Sequence, residues 1–183
     1  MKIFLPVIVA SAMFTTFAHA QDTDATSENN VRWVINCPNV QPNQPPRCFA
    51  TQTMRSDENQ HLFLSMTVNK ASNDTPATLQ VTVPLGIQLA GGLTLQAGEN
   101  NPVKIGYRTC LANGCMATAN IADDMLATMQ SVPEMKFNYT LLNQNTANVA
   151  LNMRGFRQAY STMIQRQNEL RQARLENQEM NNE

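Results

Sequence analysis

The chain has 183 residues, 13 Lys and Arg against 14 Asp and Glu, a formal net charge of −1 and 43% hydrophobic residues. That length suits one domain behind a leader, and the balanced, sparse charge excludes the basic footprint that nucleic-acid binding needs. Aromatics make up 6% of the residues while Thr, Asn and Gln are plentiful, which suits an exported, β-rich protein.

Met1 to Ala20 (MKIFLPVIVASAMFTTFAHA) reads as a secretory signal peptide: Lys2, an apolar core from Ile3 to Phe17, and Ala18-His19-Ala20 as a small-x-small cleavage site. The apolar run falls short of the roughly 20 residues of a membrane span. No other stretch of the sequence is long and apolar enough to span, and no cysteine follows the cleavage site to carry a lipid. Residues 21–30 are polar and aperiodic, a disordered lead.

Val31 to Cys37 alternates, placing Val31, Trp33, Ile35 and Cys37 on one side, with Trp33 as core filler against a disulfide. Pro38 to Pro46 is a proline-rich loop, since proline cannot donate to a central ladder. A second strand runs from Arg47-Cys48-Phe49 to about Met54, and a third from His61 to Val68 with Leu62, Leu64, Met66 and Val68 inward.

The stretch Leu79 to Cys115 organises the rest. Its positions Leu79, Val81, Val83, Leu85, Ile87, Leu89, Leu93 and Leu95 are apolar and most of those between are polar, the period of two of a sheet with one buried face. This reading places Val81 and Leu85 in the core and Thr82 on a wet face. Pro84 marks an edge, a bulge or a bend. Val103 to Cys110 is the next strand, Asn113-Gly114 a hairpin turn, and Met116 to Ile121 the return strand. Ala122 to Ser131 switches to helical period, capped by Asp123 or Asp124. Glu134 to Leu142 and Ala147 to Met153 alternate again and form a closing hairpin.

From Gly155-Phe156 the pattern turns helical, and Phe156, Tyr160, Met163 and Ile164 share a face that docks on the sheet. Residues 165–183 keep good helix formers but few apolar side chains. This polar helical tail is either a solvated extension or a segment that orders on a partner or a second copy through Met163, Ile164, Leu170 and Leu175.

Four cysteines in an exported chain favour disulfides, for which three connectivities exist. Cys37–Cys48 and Cys110–Cys115 are favoured because each closes a local loop of turn residues. Four residues separate Cys110 from Cys115, unlike a thioredoxin-type motif, and the long gap from Cys48 to Cys110 argues against zinc. Enzyme signatures are lacking. His61 is the one histidine after the leader, at the start of a strand, with no Gly-x-Ser-x-Gly elbow. Asp123-Asp124 precedes a short helix, and there is no phosphate-binding or dinucleotide fingerprint. The methionines follow the apolar phase of their strands and read as core filler, not copper ligands.

The order Trp33 to Cys37, Cys48, Pro84-Leu85-Gly86 with Leu89, Tyr107 to Cys110, Gly114-Cys115 with Ala117, and Gly155-Phe156 with Ala159 resembles the invasion-associated locus B family of small exported Gram-negative proteins. The resemblance spans about Val31 to Ile164. It implies a β-rich fold and a role associated with host-cell invasion in some pathogens, and it carries no established catalytic residues.

The expectation is therefore a mainly β protein. Its body is an antiparallel β-sandwich or barrel-like domain over residues 31–164, with one short helix and a C-terminal α-helix. It is a non-enzymatic binding or host-interaction module without a cofactor, placed in the periplasm, on the outer-membrane surface or outside the cell. Its partner is an envelope or host protein, with an oligomer through the C-terminal helix as a further option. A periplasmic small-ligand binder or an enzyme with a dispersed site is the alternative.

Overall fold

A computed structural model describes residues 32–38, 44–56, 58, 60–72 and 74–180. The expected signal peptide and lead therefore lie outside the described residues. Among the described residues ten strands, two α-helices and one 3-10 turn follow one another. The strands and α-helices are β1 (Val34–Asn36), β2 (Phe49–Arg55), β3 (Leu62–Lys70), β4 (Ala77–Val83), β5 (Leu93–Ala97), β6 (Val103–Ile105), β7 (Tyr107–Leu111), β8 (Gly114–Ile121), α1 (Asp123–Met129), β9 (Glu134–Thr140), β10 (Thr146–Asn152) and α2 (Phe156–Met180). The strands make two antiparallel sheets, ordered β1-β2-β3-β4-β8-β7 and β10-β9-β5-β6. They pack face to face and are not closed into a barrel, so the architecture is the sandwich of the two expected forms.

Alternation explains the core. In the larger sheet Met66 pairs with Val81 and Val81 with Ala117, while Val68 pairs with Leu79 and Leu79 with Ala119. Paired residues share a face, so one apolar surface forms across three strands. Leu93 and Leu95 of β5 meet it together with Met135 and Phe137 of β9, and all four are buried. Burial of each such side chain contributes about 1.5–3 kcal/mol.

Four sequence expectations are corrected. The apolar phase ends where β4 ends: Pro84 opens a bend, so Leu85 and Leu89 leave the core and face solvent. Thr82, expected wet, is only 8% exposed, because neighbouring strands flank it on both sides, opposite Ser65 and Met116. The strand expected over Val103 to Cys110 is divided at Gly106, with β6 in the smaller sheet and β7 in the larger; the pairing partner changes there from β5 to β8, which alternation along one strand does not report. Helix α1 has Ala122 as its N-cap with no side-chain cap bond. Asp123 and Asp124 instead occupy its first turn, where negative charge suits the helix dipole.

The larger sheet has two more strands than the smaller one, and α2 packs on β1, β2 and β3. Phe156 joins the main core, and Met163 packs with Cys48 and Ala50 in a second cluster that Trp33, Ile35, Cys37 and Ile164 border. The Trp33 ring lies 4.9 Å from Phe156, and its Nε1–H donates to the Arg154 carbonyl at 3.1 Å. The expectation that Trp33 packs beside a disulfide is met here.

Candidate functional site

Both favoured disulfides are formed, Cys37–Cys48 and Cys110–Cys115. The first adjoins α2. The second ties the β7–β8 hairpin across a paired register position. Gly114 begins β8 at φ +137°, where an added Cβ would lie 2.3 Å from the Val83 carbonyl oxygen. Only glycine lets the hairpin approach β4 that closely.

The four α2 residues expected to meet a partner separate into two pairs. Met163 is fully buried and Ile164 is half-buried beside the Cys37–Cys48 cluster, so both are spent on the body of the protein. This corrects their reading as partner contacts: helical spacing turns them toward β1 and β2. Leu170 and Leu175 are exposed. Between the pairs lies Gln167, 1% exposed. Its Nε2 donates to the Lys70 carbonyl at 2.8 Å, and its Oε1 accepts from the Cys48 N–H at 2.9 Å. Further along, Arg171 donates to the Ala71 carbonyl and Arg174 to the Gln44 carbonyl. Helix α2 thus holds the body well past position 165.

At the opposite end of the sandwich the turns carry bare apolar side chains. Leu85 follows β4, Leu89 stands on a 3-10 turn before β5, Leu111 ends β7 and Leu142 follows β9. With Phe63 at the start of β3, these are between 46% and 68% exposed. The turns are held side by side: the Leu142 N–H donates to the Gly86 carbonyl at 2.9 Å, and the Gln88 N–H to the Thr140 carbonyl at 2.8 Å. Single exposed leucines are ordinary, but these five are half of the ten large apolar side chains exposed among the described residues. Apolar phase alone assigned Leu85 and Leu89 to the core. The usable signal was position: Leu85 lies between Pro84 and Gly86, Leu111 two residues before Asn113-Gly114, and Leu142 directly before Asn143.

A cleft of about 260 Å³ opens between β6 and β8, lined by Val103, Ile105, Ile121 and Met125 with Asn100 and Asp124 as polar groups. Among the described residues no three His, Cys, Asp or Glu side chains gather where they could hold a metal ion. His61 is exposed at the foot of β3. Burial, helped by the charge of Tyr139, pushes the Tyr107 phenol up to about 12, and burial also raises Tyr139 and Tyr160. The Tyr139 hydroxyl donates to the Phe63 carbonyl at 3.0 Å. The Tyr107 hydroxyl and Gln52 Oε1 are buried without a hydrogen-bond partner among the described residues. No helix among the described residues is long and apolar enough to cross a membrane.

Residues 33–163 match the family model described as invasion associated locus B (IalB) protein. Among solved structures, the chain is similar to the crystal structure of invasion associated protein B from Bartonella henselae. The TM-score is 0.67 at 24% identity, over 76% of this chain and 95% of that one. No curated protein matches the chain.

Proposed function

The chain belongs to the invasion associated locus B family, and on that footing we propose that it is an exported, non-enzymatic envelope or secreted protein that binds another macromolecule. The cluster of exposed apolar side chains at one end, Leu85, Leu111 and Leu142 above all, carries this reading. Fixed, apolar and outward-facing groups fit association better than chemistry, which needs convergent polar groups around a reacting atom. Two disulfides and the signal-like first 20 residues support export. Leu170 and Leu175 offer a smaller second surface on α2 for a partner or a second copy.

Capture from envelope extracts and from host-cell surface preparations tests the reading with three proteins: wild type, Leu85→Ser/Leu111→Ser/Leu142→Ser, and Leu170→Ser/Leu175→Ser. The expected outcome is a bound component lost with the first variant and kept with the second. Equal recovery with all three overturns the assignment of the surface. Intact mass of exported material checks compartment and staples together: the expected form begins at Gln21 and exposes no thiol before reduction.

A further inference from the structure

The surface named above also indicates what it touches, and this inference rests on that reading. We propose that the apolar end of the sandwich docks on an anionic lipid bilayer. Leu85, Leu111 and Leu142 enter the boundary between headgroups and acyl chains, and Arg55, Lys104 and Arg108 meet the headgroups.

Composition is the first ground. Energetically dominant residues of protein–protein interfaces are enriched in Trp, Tyr and Arg, with Leu under-represented. Here the tips carry leucine, and the sole tryptophan, Trp33, lies at the other end against Phe156. Leucine is among the side chains that membrane insertion favours most.

The form of the surface is the second. The leucines stand on separate turns that are already fixed, by the Leu142-to-Gly86 and Gln88-to-Thr140 hydrogen bonds and by the Cys110–Cys115 bridge under Leu111. A fixed set of apolar tips loses little conformational freedom when it enters a fluid surface.

Charge is the third. Arg55 at the end of β2 and Arg108 in β7 are exposed. Lys104 extends over Gly92, beside the turn that bears Leu89. Among the described residues, Glu58 is the one acid at this end. Asp74, Glu99, Asp123, Asp124 and Glu134 lie on turns and element starts at the other end, and the remaining described acids are on α2. At the other end Lys70, Arg154 and Arg157 accompany the acids, and α2 carries both signs, so among the described residues the excess of positive charge lies beside the apolar tips, as on a protein that sits on an anionic surface.

The test is co-sedimentation of the exported protein, both disulfides formed, with vesicles of phosphatidylethanolamine and phosphatidylglycerol, and with phosphatidylcholine vesicles for comparison. The expected result is binding to the anionic vesicles that weakens with salt and is much weaker on phosphatidylcholine. Leu85→Ser/Leu111→Ser/Leu142→Ser lowers affinity about tenfold or more, and Arg108→Gln lowers it about fivefold. Leu170→Ser/Leu175→Ser removes exposed leucines from the other end and leaves vesicle binding unchanged. Near-ultraviolet circular dichroism checks that every variant keeps the native fold.

Absence of vesicle binding by wild type, or equal binding by the triple variant, overturns the proposal. If the wild type ignores vesicles but the triple variant loses a captured protein, the lipid falls and the reading of the surface stands. A dimer that the triple variant converts to monomer, without vesicle binding, likewise assigns the surface to a second copy and removes the lipid. If the triple variant changes none of these measurements, both the proposal and the underlying reading fail.

Discussion

The two ends of the sandwich use the same kinds of residue in opposite ways. At the α2 end, Trp33, Phe156 and Met163 are packed inward, and one polar side chain, Gln167, satisfies two main-chain groups, one just before β2 and one at the end of β3. At the other end, Leu85, Leu111 and Leu142 stand outside the core on short turns. Apolar side chains are taken up by packing at one end and left over at the other. Changes at the first should unfold the protein, and changes at the second should alter only what it touches.

The sharpest contrast sets two aspartates against each other. Val81→Asp places an uncompensated carboxylate in the buried row between Met66 and Ala117, and no folded protein is expected. Leu85→Asp, four residues on, leaves soluble protein with an unfolding free energy within about 0.5 kcal/mol of wild type, because the site is exposed. Urea titrations compare them, and equal damage would place Leu85 in the core with Val81.

Gln167→Ala comes next. It leaves the Cys48 N–H and the Lys70 carbonyl without their partner and is expected to cost about 2–3 kcal/mol in the same titration. Truncation after Gln165 removes the Arg171 and Arg174 contacts as well and should cost more. Loss of neither would show α2 to be dispensable.

The disulfides follow. Bridges closing loops of 11 and 5 residues contribute about 3 and about 2 kcal/mol by chain-entropy arguments. Cys37→Ser/Cys48→Ser should therefore destabilise more than Cys110→Ser/Cys115→Ser, and thermal melts rank them.

The smallest effect concerns Tyr107. Its folded-state pKa is raised to about 12, chiefly by burial, above the value of about 10 for an exposed phenol. Between those values the native state holds a proton that the unfolded state has lost, so stability is intact below pH 10 and declines as pH rises toward 12. Tyr107→Phe should reduce that decline. At neutral pH it should be neutral or slightly stabilising, since the hydroxyl has no partner among the described residues. Spectrophotometric titration and alkaline denaturation check both.

Most of the strands were legible because a half-buried strand writes its face into alternate residues. Val81, Val83, Leu93, Leu95, Phe137 and Leu151 are all buried as their phase implies. Phase does not report where a strand stops, so Leu85 and Leu89 were placed inside although β4 ends at Val83. Nor does it show a change of sheet, which is why the break at Gly106 was missed. Gln167 was illegible for another reason. It lies in a run of similar Gln and Glu residues, and its partners are 119 and 97 residues away. Of the candidate site, the turns were readable and the gathering of their leucines was not, because that depends on which turns the topology brings together.

The contacts of α2 also impose an order in time. Trp33 bonds to Arg154 across 121 residues, and the Cys48 amide to Gln167 across 119. A chain that emerges N-terminus first presents its opening strands long before the segment that covers them. Those strands therefore wait, with an edge and an apolar face open, until nearly the whole chain has appeared. The Cys37–Cys48 bridge needs only its own 11-residue separation and can close in that interval, holding the first hairpin ready for the last helix.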